Sequence, residues 1–240
     1  MTPRVVLFQN DDVLALDKPP GVSMATSSKE GKSAEDVVRR LLAACGVPPP
    51  DPLPVLVHRL DAGTSGVVLV AKTREAHRAL SLAFQERRAV KTYRALVWGH
   101  PVPAKGTIDL ALQRDPKDGR KMRVAADGKP CVSRYRTLRR FPSLSDLELQ
   151  PETGRTHQIR VHLSAKGHPI AGDDFYGGAS RWHGVRDVRL REALKVVARP
   201  LLHAARVEIP EMGIDVTAPL PGDYEEILAS LSRGTARRVG

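Results

Sequence analysis

The chain has 240 residues, with 38 Lys+Arg against 27 Asp+Glu and a formal net charge of +11. An apolar fraction of 41% and a charged fraction of 27% suit a chain that buries a hydrophobic core, and they argue against wholesale disorder. No stretch approaches the roughly 20 apolar residues of a membrane span, and Cys45 and Cys131, far apart and without a CxxC pair, speak against a disulfide scaffold or a cysteine-zinc centre. The first residues carry acidic groups where a signal peptide needs its apolar core, so a cytoplasmic protein is expected. A pI near 10.0 points to a polyanionic partner, most simply nucleic acid. The 2 Trp, 4 Tyr and 4 Phe are too few for a base-stacking platform of the single-strand-binding kind.

Residues 5 to 17 read as two apolar runs around an Asn10-Asp11-Asp12 turn, hence a hairpin or successive strands. Lys18-Pro19-Pro20-Gly21 ends them, because Pro cannot donate to a ladder. Val37, Val38, Leu41 and Leu42 have helical spacing behind Ser33 as N-cap. The Pro-rich stretch after Gly46 is a loop. Val55 to Leu60 predicts a strand leading into the small-residue turn Asp61–Gly66, and Val67 to Ala71 resumes as a β-branched strand. Thr73 caps a helix with Ala76, Leu80, Ala83 and Phe84 on its apolar stripe. Lys91 to Trp98 alternates, with Lys91, Tyr93, Ala95 and Val97 on one face.

Arg114 to Lys129 reads as a polar loop carrying Arg114, Lys117, Arg120, Lys121, Arg123 and Lys129. Strands are predicted over 131–138 and 144–150. A helix runs from Thr156 through Ile159 and Leu163 to a stop at Gly167, with Pro169 beyond. Further strands fall at 201–209 and 213–217, and a short helix at 222–231. The expected organisation is an α+β single domain over 1–228 and a basic tail over 229–240.

The chain has no GxxxxGK[ST], no GxGxxG after a strand and no HExxH, so phosphoryl transfer, dinucleotide redox and zincin chemistry lack support. The eight histidines form no metal set; His157 and His162, five apart, match one helix face poorly. The densest cluster of unusual residues is His58-Arg59-Leu60-Asp61-Ala62-Gly63-Thr64-Ser65-Gly66. A carboxylate at a strand end before such a turn can act as nucleophile or general base, or it can simply cap the turn. The second cluster, Thr153-Gly154-Arg155-Thr156-His157-Gln158-Ile159-Arg160, gathers arginines and hydrogen-bonding side chains at a helix N-terminus. That pattern fits an anion site, a solvated face or a structural ion pair. Tyr93 is core, rim or functional; spacing does not choose.

Together these segments resemble the RluA-type family of pseudouridine synthases. The resemblance rests on Lys18-Pro19-Pro20-Gly21, the string from His58 to Gly66, Lys91-Thr92-Tyr93-Arg94-Ala95 and the string from Thr153 through Arg160 to His162. Gly167-His168-Pro169-Ile170 and Leu201-Leu202-His203-Ala204 complete it, in family order over nearly the whole chain. It implies a curved, mostly antiparallel sheet with a central active-site cleft, and isomerisation of uridine in structured ribosomal or transfer RNA. It further implies Asp61 as the essential carboxylate, Tyr93 as the tyrosine packing on the target base, and Arg160 as the partner of the catalytic carboxylate. Arg59, His58, Arg155, His157 and Gln158 become candidates for substrate binding. No cofactor, metal, nucleotide cofactor or membrane is expected, since the reaction is redox-neutral, and a monomer is expected. The compact branch, without an N-terminal S4-type RNA-binding domain, is the nearest match.

Two other readings compete. An RNA-binding or RNA-folding protein with secondary or lost catalysis is opposed by the presence of all three matched catalytic residues. A glycosidic-bond hydrolase would need a second, water-activating carboxylate, and the sequence offers no convincing one.

Overall fold

The structure, a computed structural model, describes residues 5–26 and 33–235. Along the chain run β1 (Val6–Gln9), β2 (Val13–Lys18), α1 (Ala34–Ala44), β3 (Val55–Leu56), β4 (Ser65–Ala71), α2 (Arg74–Gln85), β5 (Val90–Trp98) and β6 (Lys105–Asp109). There follow β7 (Leu112–Arg114), β8 (Met122–Val124), β9 (Val132–Arg140), β10 (Leu144–Pro151), α3 (Gln158–Ala165), α4 (Val188–Lys195), β11 (Leu202–Ile209), β12 (Ile214–Thr217) and α5 (Gly222–Thr235). Helices and strands interleave without βαβ alternation. The registered pairings are antiparallel, which is the α+β class the sequence implied. The chain divides into two units, residues 1–91 with 204–219 and residues 92–203 with 220–240.

In the first unit, β1 and β2 form the hairpin read at the Asn-Asp-Asp turn. Asn10 Oδ1 accepts the amides of Asp12 at 3.0 Å and Val13 at 2.7 Å, so this side chain supplies the turn's acceptor. β2 pairs with β4 from Val13 opposite Ala71 to Lys18 opposite Gly66. β4 is buried along its whole length, as a strand covered on both faces must be. β11 lies beside β4, and β12 pairs with β11. α1 begins at Ser33, where Ser33 and Asp36 form a reciprocal capping box, and α2 begins at Thr73, whose side chain accepts the Ala76 amide. Both caps sit where the sequence places them. The strand expected over Val55–Leu60 is confined to Val55–Leu56. The remainder is tied by side chains instead: the Leu60 amide points to Met24 Sδ, and the His58 ring accepts the Leu69 amide.

In the second unit the sheet order is β5-β10-β9-β6. Tyr93, Leu149, Tyr135 and Gly106 stand opposite one another in a cross-strand row. The alternation expected of β5 fails after Arg94, because Ala95 to Trp98 are all buried. Leu96 shares the face of Asp146, which α5 covers: Tyr224 donates its hydroxyl to Asp146 Oδ1 at 2.9 Å. Ile159 and Leu163 of α3 belong to the same core.

Three expectations change. The polar loop 114–129 contains part of an antiparallel ribbon, β7 with β8, held by the inward residues Leu112 and Met122. The unforeseen α4 buries Leu190 and Leu194, one turn apart, behind Asp187 as N-cap. α5 continues to Thr235 with Leu231 in the core, so the tail expected from residue 229 is helical that far; residues 236–240 lie outside the described residues. Among the described residues no helix is long and apolar enough to cross a membrane.

Candidate active site

Asp61 sits in the first unit, half-buried at the head of the turn between β3 and β4. Thr64 closes that turn by donating its amide to the Asp61 carbonyl at 3.0 Å. Beneath it, Lys18 is fully buried, and its Nζ donates to the carbonyls of Pro19 (2.9 Å), Val22 (3.1 Å) and Ala62 (3.1 Å). The Gly21 amide adds a bond to the Ala62 carbonyl at 2.8 Å. The Lys-Pro-Pro-Gly segment thus braces the Asp61 turn through main-chain carbonyls. At the far end Gly66 takes φ +110°, and a Cβ there would lie 2.2 Å from the Ala204 carbonyl oxygen. Only glycine permits that approach.

His58 and Arg59 flank the turn differently. The His58 ring stacks on Phe84 with centroids 4.5 Å apart, and its Nε2 accepts the Leu69 amide at 2.9 Å. Burial, and then the charge of Lys91, pulls its pKa down to about 3. The imidazole is neutral and engaged within the fold. Arg59 is exposed.

Tyr93 and Arg160 belong to the second unit. Tyr93 is half-buried on β5 and packs against the core beside Leu149. Arg160 lies on α3, 6% exposed, and forms a two-bond pair with the fully buried Asp173: Nε to Oδ2 at 2.7 Å and Nη2 to Oδ1 at 2.8 Å. Asp173 Oδ1 also accepts the amides of Phe175 (3.1 Å) and Tyr176 (3.3 Å). The guanidinium lies 5.5 Å from the Phe175 ring centre and 5.0 Å from that of Tyr176. Partners of this kind offset the cost of burying a guanidinium charge.

Sequence reasoning missed Asp173, Phe175 and Tyr176. The signal was there: an arginine between Ile159 and Leu163 on a buried helix needs a counter-charge, and Gly172-Asp173-Asp174-Phe175-Tyr176-Gly177 follows closely. Gly172 belongs to that need for closeness, since a Cβ there would sit 2.1 Å from the Arg199 carbonyl oxygen.

Gln158 departs from its expected part as a substrate contact. It is 4% exposed. Its amide donates to Val132 O (2.9 Å) and Ser133 Oγ (3.0 Å), and its Oε1 accepts from Thr153 Oγ1 (2.6 Å) and the Arg155 amide (3.1 Å). That accounts for its full hydrogen-bonding capacity. It shapes the loop that presents Arg155, which is exposed. His157, at φ +55°, precedes α3 and places Nδ1 2.7 Å from the Tyr176 hydroxyl. Among the described residues no three His, Cys, Asp or Glu side chains converge as a metal-binding group.

Asp61 thus stands on a braced turn of the first unit, and Tyr93 on a sheet face and Arg160 on a buried helix belong to the second. A family model described as RNA pseudouridylate synthase matches residues 12–165, and the chain belongs to that family. Its activity is the isomerisation of uridine to pseudouridine in RNA, and within the family it is of the RluA type.

"Ribosomal large subunit pseudouridine synthase D" of Pseudomonas aeruginosa is 36% identical over 98% of this chain and 74% of its own length. "Dual-specificity RNA pseudouridine synthase RluA" of Escherichia coli K12 is 36% identical over 92% of this chain and 94% of its own. The solved structure of human RNA Pseudouridylate Synthase Domain Containing 4 superposes with a TM-score of 0.71 at 25% identity, covering 95% of this chain and 93% of that one.

Proposed function

We propose that the chain isomerises chosen uridines in structured ribosomal or transfer RNA, with Asp61 as its catalytic carboxylate. The bracing of the Asp61 turn by buried Lys18 and by Gly66 carries this reading. A turn merely capped by an aspartate needs no such foundation, whereas a reacting group must be held in place. Relatives named for the large ribosomal subunit and for dual specificity support the substrate class. Such substrates favour a cytoplasmic protein, and we take it to act as a monomer.

In the reaction the C1′–N1 bond of uridine breaks, the base turns, and a C1′–C5 bond forms. The C5 proton leaves and N1 gains one, so no redox partner is needed. Asp61 either attacks the substrate or removes a ribose proton, and both routes need it ionised. Arg160 is its proposed partner. The guanidinium has five N–H groups and can serve more acceptors than Asp173 alone. Tyr93 packs on the target base and assists departure of the C5 proton. Flipping that base out of a stem costs a few kcal/mol. Arg59 holds a phosphate or fills the vacated space, and Arg155 and the cations of the β7–β8 ribbon contact the backbone. His58 and Gln158 act as positioning residues.

The test is release of tritium from transcripts labelled at uridine C5. Asp61→Asn abolishes release while RNA affinity stays within roughly a few fold, because phosphate contacts dominate binding. Asp61→Asn protein that still releases tritium, or that fails to fold, contradicts the assignment.

A further inference from the structure

The β7–β8 ribbon has little apolar surface with which to fix itself. Leu112 and Met122 are its inward residues, in a small cluster with Cys131, Val161 and Tyr176. Tyr176 is the hub of that attachment. Its hydroxyl accepts the Met122 amide at 2.9 Å and lies 2.7 Å from His157 Nδ1, to which it can donate. Its ring faces the Arg160 guanidinium. Its amide donates to Asp173 Oδ1, and its carbonyl accepts the Ser164 hydroxyl at 2.9 Å. One side chain therefore touches the basic ribbon, the residue entering α3 and the arginine of the buried pair.

We propose that Tyr176 is a positioning residue for the isomerisation, its hydroxyl latching the β7–β8 ribbon to the His157 corner of α3, so that the ribbon and Arg160 are placed together. The inference rests on the part given to Arg160 above. Packing alone does not account for the hydroxyl: a phenylalanine would fill the cluster and face the guanidinium equally well. The hydroxyl instead joins two points that no helix or strand ladder connects, a main-chain amide of β8 and a side chain at positive φ. A non-glycine residue at φ +55° persists where its surroundings fix it, and the phenol is one of those surroundings. RNA drawn onto Arg120, Lys121 and Arg123 by charge is thereby referred to the same frame as Arg160.

The experiment uses full-length Tyr176→Phe and a ribosomal RNA transcript that the wild type modifies, with single-turnover rate at saturating RNA and RNA Kd measured separately. The latch predicts a rate lower by about tenfold, the worth of one interior hydrogen bond expressed in the transition state, with Kd within about twofold. His157→Phe breaks the same latch from its other end, and the double variant should be no slower than the slower single one. In these variants the proposal is overturned by a wild-type rate in Tyr176→Phe, a loss confined to Kd, or additive defects. Where Tyr176→Phe lowers the unfolding midpoint, His157→Phe alone decides. Arg160→Lys run alongside separates the two readings. A wild-type rate there removes the part given to Arg160 and the latch with it; an inactive Arg160→Lys beside a wild-type Tyr176→Phe removes the latch alone.

Discussion

Gly66 shows how closely the Asp61 turn is specified. Its φ of +110° and the 2.2 Å approach of the Ala204 carbonyl to a would-be Cβ make Gly66→Ala both strained and overlapping. The expected loss is roughly 3 kcal/mol or more, read as a drop in the urea midpoint; a wild-type midpoint would contradict the close approach. His58 makes a pH prediction. Its folded pKa near 3 lies below the usual 6.5, so between those values the unfolded chain takes up a proton that the folded chain refuses. Stability from this group is intact above pH 6.5 and is lost as pH falls. Asp17 works oppositely: burial raises it from 3.8 to about 6, so its penalty fades with acid. His58→Gln, which keeps an acceptor for Leu69, should flatten the fall in melting temperature between about pH 7 and 5, and an unchanged slope would place the titration elsewhere. The glycine was legible in the string Gly63-Thr64-Ser65-Gly66. The part of His58 was not, because an acceptor for a main-chain amide on β4 exists only once the strand is folded.

Elements whose ends are set by their own side chains were readable. Ser33 and Thr73 cap α1 and α2 because a hydroxyl beside free amides needs nothing distant. Elements fixed by remote partners were not. The β7–β8 ribbon has few apolar residues and is held by the cluster around Tyr176, and β5 loses its alternation because α5 covers its second face. α4 could have been read, with Asp187 before Leu190 and Leu194. The Arg160–Asp173 pair is the prediction at this scale. Asp173→Asn removes the buried carboxylate that takes two bonds from Arg160, which costs about 3–5 kcal/mol and should appear in denaturant unfolding together with loss of turnover. A variant as stable as wild type would mean that other partners carry the arginine. Arg160→Lys should turn over at least about 100-fold more slowly, since an ammonium cannot reproduce the planar two-bond geometry; near-normal turnover would refute its assigned part.

The net charge of +11 is a property of the whole molecule, and so is its consequence. Affinity for RNA should fall linearly in log–log form with salt, each phosphate contact adding about −0.7 to −0.9 to the slope; a flat response would contradict binding through the basic surface. The family, the α+β fold and the activity were legible because the strings around Asp61 and Arg160 are long and specific. Which RNA is modified is not written in those strings, since shape and phosphate contacts read structured RNA across a surface. The most direct test of the activity is pseudouridine mapping by carbodiimide adduct and primer extension, on RNA from cells with and without this gene. Sites that vanish on deletion and return with the wild-type gene, but not with Asp61→Asn, are the predicted result. A map unchanged by deletion, with redundant enzymes removed, or one restored by Asp61→Asn, would contradict it.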